Sequence, residues 1–213
     1  MRIEFNNVIP TPLNDQTYFT ESAWGKKIEL NTDKTYLLTS ESGKGKSSFI
    51  SFLYGSRTDY TGEIKLNGKR WEEYSLNERS ELRSKTLSYL PQDILLFPQL
   101  TLLENLIIKN NLTHSKSEQE LKQHIDTLGL SSQINQKAAT LSKGQQQRVG
   151  ILRALLQPFE FVLLDEPFSH LDLTNIEIAI ELIEDVCSQN KAGYLISTLG
   201  PKHGLTVSDT IYL

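Results

Sequence analysis

The chain has 213 residues, enough for one sizeable core or for a core with an inserted subdomain. Its formal net charge of -4 supplies no broad basic field, so nucleic acid is not an expected partner. The single cysteine, Cys187, excludes an intrachain disulfide and fits a reducing compartment. Met1-Arg2-Ile3-Glu4-Phe5 lacks the apolar core of a signal peptide, and no apolar run approaches the ~18 residues needed to cross a bilayer.

In chain order, Ile3-Glu4-Phe5 and Ile28-Glu29-Leu30 alternate as short strands, with Asn, Pro and Thr marking turns between them, and predict a peripheral antiparallel sheet. Residues 36–39 read as a buried strand leading into a glycine-rich loop, and 46–54 as the helix behind it. The stretch 62–68 alternates with period two and ends in Asn67-Gly68, a hairpin signal. From 93 to 147 the strand pattern stops; 102–109 and 118–128 have helical spacing, the second closed by Gly129. Beyond come a strand at 161–164, a helix at 175–187 and a strand at 194–197. This alternation predicts an α/β fold with a mostly parallel sheet covered by helices. An N-terminal antiparallel β subdomain and an inserted α-helical subdomain complete it. We read one domain over 1–213, with 1–92 and 148–213 as the core and 93–147 as the helical part. No internal repeat or low-complexity tail is present.

The loop Ser40-Glu41-Ser42-Gly43-Lys44-Gly45-Lys46-Ser47-Ser48 carries the first chemistry. Gly43 and Gly45 let successive N–H groups converge on phosphate oxygens, and the following helix presents its positive end to them. Lys46 reaches the β and γ phosphates in such a loop, and the Ser47 hydroxyl ligates magnesium. Ser40 stands where the pattern begins with glycine, which predicts an adjusted turn at the start of the loop. The apolar run Phe161-Val162-Leu163-Leu164 ends in Asp165-Glu166-Pro167, so two carboxylates sit at the C-terminal end of a buried strand, where open parallel sheets bind ligands. Asp165 is the candidate to hold magnesium through water.

Downstream of the loop, Leu141-Ser142-Lys143-Gly144-Gln145-Gln146-Gln147-Arg148 resembles the Leu-Ser-Gly-Gly-Gln signature of the ABC-type ATPases, with Lys143 in place of its first glycine. Over nearly the whole chain the motifs and their order resemble the nucleotide-binding subunit of an ABC transporter. The resemblance implies ATP and Mg2+ as ligands, with the P-loop NTPase fold. Lys46, Gln92 and Glu166 are then catalytic, Glu166 as general base, and Ser47, Gln92 and Asp165 hold the metal. Tyr89-Leu90-Pro91-Gln92-Asp93 is similar to the Q-loop, a lever between nucleotide and transporter. The segment from Leu96 to Thr101, with Glu104 and Asn105, is similar to the one that receives the membrane subunit's coupling helix, although its apolar residues equally suit a helical core. Ser142, Lys143, Gly144 and Gln145 would complete the site of a second subunit, and Ser142 also suits a helix cap. Asp172 in Ser169-His170-Leu171-Asp172 matches the D-loop.

The same resemblance implies an integral membrane transporter subunit as partner and a second ATPase subunit, identical or related. It places the chain in the cytoplasm, peripheral on the cytoplasmic face of the membrane. Two positions depart from the family. The switch histidine is replaced by Leu199 in Thr198-Leu199-Gly200, which implies slow turnover and leaves His203 or His170 as substitutes. The adenine-stacking aromatic is missing from 8–16; Tyr18 and Phe19 are the nearest candidates and equally suit the peripheral sheet. A low-turnover ATP-dependent clamp is the competing reading, favoured by Leu199 and opposed by the intact Glu166. A relative acting on DNA or ribosomes is disfavoured by the acidic balance and by the lack of a long coiled coil or second ATPase domain.

Overall fold

The computed structural model describes residues 1–11, 22–200 and 202–213. Strands β1 (Arg2–Pro10) and β2 (Lys27–Asn31) pair antiparallel, with Ile3 opposite Leu30 and Phe5 opposite Ile28. β3 (Thr35–Thr39) leads into the glycine-rich loop and α1 (Lys46–Leu53). β4 (Tyr60–Leu66) and β5 (Lys69–Arg70) form the hairpin that Asn67-Gly68 predicts, both turn residues having positive φ as a type I′ turn requires. β4 also pairs with β1, which gives an antiparallel sheet in the order β2-β1-β4-β5.

The second half supplies the helices. α2 (Leu76–Glu81) and β6 (Leu87–Leu90) precede α3 (Leu102–Asn110), α4 (Glu118–Thr127) and α5 (Lys143–Leu155). β7 (Phe161–Asp165), α6 (Leu173–Asn190), β8 (Gly193–Thr198) and β9 (Asp209–Tyr212) close the chain. The helix starts are written locally. Ser75 with Glu78, Thr101 with Glu104, Ser117 with Glu120 and Ser142 with Gln145 form reciprocal capping boxes, each cap contributing about 1 kcal/mol. α5 runs unbroken through 147 and 148, so the helical part joins the core by a continuous helix.

The five strands of the second sheet are all parallel, in the order β6-β7-β8-β3-β9. Both faces are buried, and side-chain alternation divides β7 between two cores. Phe161 and Leu163 pack with α1 and the antiparallel sheet, where the Phe5 and Phe49 rings stack at 4.4 Å. Val162 and Leu164 pack against α3 to α6, through Leu106, Ile125, Leu152 and Ile183. Because both faces of β7 are apolar, the polar residues that follow are delivered to the sheet's C-terminal edge, beside the loop that leaves β3.

Three elements escape the sequence pattern. α2 leaves no residue buried and so shows no apolar stripe. β6 has four residues and includes Ser88, whose hydroxyl donates to Ala154 O at 2.5 Å. β9 lies at the sheet edge with one buried residue, Ile211.

Candidate functional site

The glycine-rich loop is built from its ends. Gly45 caps α1 with φ 97, and Lys46, the first helical residue, is buried. Its Nζ folds back over the start of the loop and donates to Ser40 O at 3.0 Å and Glu41 O at 3.3 Å. Ser40 is not among the residues with positive φ, so serine fits this position without the strain its sequence suggests; its hydroxyl donates to Glu41 O at 3.0 Å. Burial pushes the Lys46 amine below its ordinary pKa, while the carboxylates of Glu166 and Asp165 pull it back up.

At the end of β7 the two carboxylates are set apart by one serine. Ser197 Oγ, from the neighbouring β8, donates to Asp165 Oδ1 at 2.6 Å and accepts from Glu166 N at 2.9 Å. Glu166 has φ 49, a left-handed conformation that costs a non-glycine residue about 1–3 kcal/mol. It is held there by Ser197 and by Gln147 Nε2 and Ser169 N, which donate to its carbonyl at 3.4 and 3.3 Å. Burial raises the Glu166 carboxyl above the usual range, with Asp165 adding to the rise and Lys46 opposing it. Gln92 then ties loop to carboxylate: Ser47 Oγ donates to its Oε1 at 3.3 Å, and its Nε2 donates to Glu166 Oε2 at 3.3 Å.

These residues fit magnesium. Asp165 Oδ2 is buried without a hydrogen-bond partner, which leaves a carboxylate oxygen for a hard cation or its water. The other donors, Ser47 Oγ and Gln92 Oε1, are oxygens as well. No group of three or more His, Cys, Asp or Glu able to hold a metal occurs among the described residues. Magnesium here would therefore depend on nucleotide phosphates for part of its coordination.

The remaining motif residues fall into two places. Ser142 caps α5 and is exposed, as is Lys143; among the described residues no hydrogen bond joins either to the glycine-rich loop. Lys143 does not have positive φ, so its backbone conformation does not call for glycine. Gly144 does need to be small, since a Cβ on it would lie 2.9 Å from His170 O. Arg148 links the signature helix to the D-loop: its Nη1 donates to Asn175 Oδ1 at 2.7 Å, and Asn175 N donates to Asp172 Oδ1, the cap of α6, at 2.9 Å. Of the two candidate histidines, His170 is exposed, whereas His203 lines a cavity of about 280 Å³ with Glu166, Ser169, Ser197 and Leu199. Leu199 itself is 57% exposed. Tyr18 and Phe19 lie outside the described residues.

Sequence reasoning missed Ser197 and Trp24. Ser197 ends an apolar strand directly before Thr198-Leu199-Gly200, and the switch motif there assigns it no role. Trp24 is buried beneath the loop, its Nε1 donating to Lys44 O at 3.0 Å and its ring 3.1 Å from where a Cβ on Gly45 would stand. It is a strut for the loop, and only its contact across 20 residues reveals it. Trp24→Phe removes the N–H and reduces the bicyclic indole to a single ring, so a loss of at least about 1 kcal/mol, or about fivefold in ATP affinity, is expected by calorimetric titration. Affinity equal to the parent's would exclude a role in shaping the loop.

Residues 25–169 match the ABC transporter family. The lipoprotein-releasing system ATP-binding protein LolD of Buchnera aphidicola is 34% identical over 206 residues, covering 90% of this chain and 87% of the relative. The thiamine import ATP-binding protein ThiQ of Haemophilus influenzae is 34% identical over 202 residues, covering 93% and 88%. The dimeric ABC transporter cassette MJ0796 superposes with a TM-score of 0.83 at 22% identity, over 99% of this chain and 94% of that one. The chain therefore belongs to the ABC transporter family, among its ATP-binding subunits.

Proposed function

We propose that this chain hydrolyses ATP between two cassette subunits and thereby powers a separate membrane-spanning subunit from the cytoplasmic face. The observation that carries the reading is the continuous bridge Ser47–Gln92–Glu166, which joins the phosphate loop, the Q-loop and the candidate base. Lys46 and the loop N–H groups neutralise the γ-phosphate, and Glu166 orients and deprotonates the attacking water. Its raised pKa brings that base closer to the working pH. Ser47, Gln92 and Asp165 would hold magnesium, which supplies charge neutralisation on the β- and γ-oxygens when bound. Ser142 and Lys143 are exposed and Gly144 and Gln145 half-buried, and this segment would meet the nucleotide of a second subunit, with Asp172 nearby. No helix among the described residues is long and apolar enough to cross a membrane. LolD and ThiQ are named for different cargoes, so the relatives assign none here.

The test is magnesium-dependent ATP hydrolysis by the purified chain, with size-exclusion chromatography in ATP. Turnover with an ATP-dependent dimer supports the reading. Dimerisation without turnover instead selects the clamp, which Leu199 favours because leucine makes no hydrogen bond to phosphate. We further propose that His203, in the Glu166 cavity, takes over that contact. His203→Ala is expected to lower kcat about ten- to hundredfold, the worth of a hydrogen bond to a charged group, and exposed His170→Ala to leave it unchanged. Unchanged turnover in both variants would leave the phosphate without a histidine partner.

A further inference from the structure

Ser197 places a hydroxyl where its strand otherwise turns apolar side chains inward. In β8, Tyr194 and Ile196 belong to one core and Leu195 to the other, and Ser197 is fully buried. Strand alternation puts its side chain on the same face of the sheet as Leu195. Its neighbours in register are Leu38 of β3 and Asp165 of β7. Leu38 and Leu195 give a hydroxyl nothing to bond, so its presence is explained by what it reaches on the β7 side.

A serine hydroxyl has one proton to donate and lone pairs with which to accept. Here the proton goes to Asp165 Oδ1 at 2.6 Å, and the oxygen accepts from Glu166 N at 2.9 Å. The last torsion of an aspartate is broad and roughly two-fold when nothing holds it, so the first bond selects one rotation of the carboxylate. It engages Oδ1 and leaves Oδ2, buried and without a partner, as the open acceptor. The second bond holds the N–H of the residue that follows β7, whose φ is 49. One atom thus sets both the rotation of the carboxylate that suits a metal and the backbone from which the candidate base projects. While it is in place the two acids keep a fixed relation to each other.

We propose that Ser197 is a positioning residue for magnesium: acting through Asp165, it reserves Oδ2 for the cation or its water and keeps Glu166 aligned with that oxygen. The inference rests on the ATP-hydrolysis reading above for Glu166, whereas the part that concerns Asp165 requires only nucleotide and metal. Groups that orient a metal ligand are worth about 10- to 100-fold in metal affinity, because the freed ligand must be ordered again each time the metal binds. A hydroxyl that served only to stabilise the strand would behave differently. Its loss would weaken nucleotide binding by the same factor with and without metal.

The test is calorimetric titration of the whole chain with a non-hydrolysable ATP analogue, once with magnesium and once with EDTA. The parent is compared with Ser197→Ala, Ser197→Thr and Ser197→Val. Threonine and valine share a shape and differ by the hydroxyl, so comparing them cancels any crowding by the added methyl group. In EDTA, Ser197→Ala is expected to bind as the parent does, since Lys46 and the phosphate loop are untouched, and this verifies its fold. The gain in affinity that magnesium brings should fall about tenfold or more in Ser197→Ala, and should be larger in Ser197→Thr than in Ser197→Val. In steady-state turnover, kcat should follow the same order. Equal losses in magnesium and in EDTA would make the hydroxyl structural and overturn the inference, as would Ser197→Thr no better than Ser197→Val. A parent with the serine-dependent magnesium gain but no turnover counts against the hydrolysis reading alone. A parent that turns over, with the gain unchanged in Ser197→Ala, counts against Ser197 alone.

Discussion

Glu166→Gln is expected to bind ATP as the parent does and to lose about 10²- to 10⁴-fold in kcat, the contribution of a positioned general base. The amide keeps the size of the side chain and an oxygen to accept from Gln92 Nε2, and the backbone bonds from Ser197, Gln147 and Ser169 do not involve the carboxylate. Geometry is thus preserved while basicity is removed. The ATP-dependent dimer should persist, because the step that would dissolve it is blocked. The pH dependence has a definite sign. Burial raises the Glu166 pKa, so the parent loses turnover as pH falls through a value above the ordinary carboxylate range, and the variant's residual rate lacks that limb. The same raised value means the fold favours the protonated form: stability from this group is present at low pH and lost as pH rises through the folded pKa. The variant, neutral at all pH, should melt no lower than the parent at neutral pH. Retention of more than about a tenth of parental kcat would remove Glu166 from the role of base.

Gly193→Ala is expected to cost about 3 kcal/mol or more, lowering the melting temperature by roughly 6–12 °C for a chain of this size. Gly193 opens β8, where its N–H donates to Thr32 O at 2.6 Å and Glu160 O at 3.1 Å. A Cβ there would stand 1.9 Å from Lys34 O and 2.8 Å from its carbonyl carbon. The obstacle is backbone, held in the turn between β2 and β3 by the bond from Lys34 N to Asn31 O. No rotamer relieves the clash, so β8 must move away from β3. Ser197, four residues further along β8, would move with it and release its hold on Asp165 and Glu166. Catalytic loss should therefore accompany the stability loss. A melting temperature within about 2 °C of the parent's, by calorimetry, would mean that the strand starts tolerate this side chain.

The chemistry of this chain is legible in its sequence because it is carried by local motifs whose backbone geometry the residues themselves impose. Gly43 and Gly45 supply the left-handed backbone of the glycine-rich loop, the apolar run of β7 places Asp165 and Glu166 at a sheet edge, and Asn67-Gly68 turns a hairpin. Capping serines and threonines with a Glu or Gln three residues on likewise mark where α3, α4 and α5 begin. Local sequence also raises concerns that three dimensions remove. Ser40 and Lys143 depart from glycine, yet neither position uses a left-handed backbone.

What the sequence by itself determined is the family, carried by the resemblance and order of its motifs, and the α/β architecture, which follows from periodicity; it also nominated the candidate site residues, because these stand within short local motifs. Only the tertiary structure decided how those groups are held. Ser197 reaches Asp165 across 32 residues, Trp24 supports a loop 20 residues away, and Gln92 closes on Glu166 across 74. His203 rather than His170 shares the cavity of Glu166. These are long-range contacts made by ordinary residue types, and no local spacing encodes them. They arise when strands pair and helices dock, because burial then forces each polar group to find its partner or remain without one.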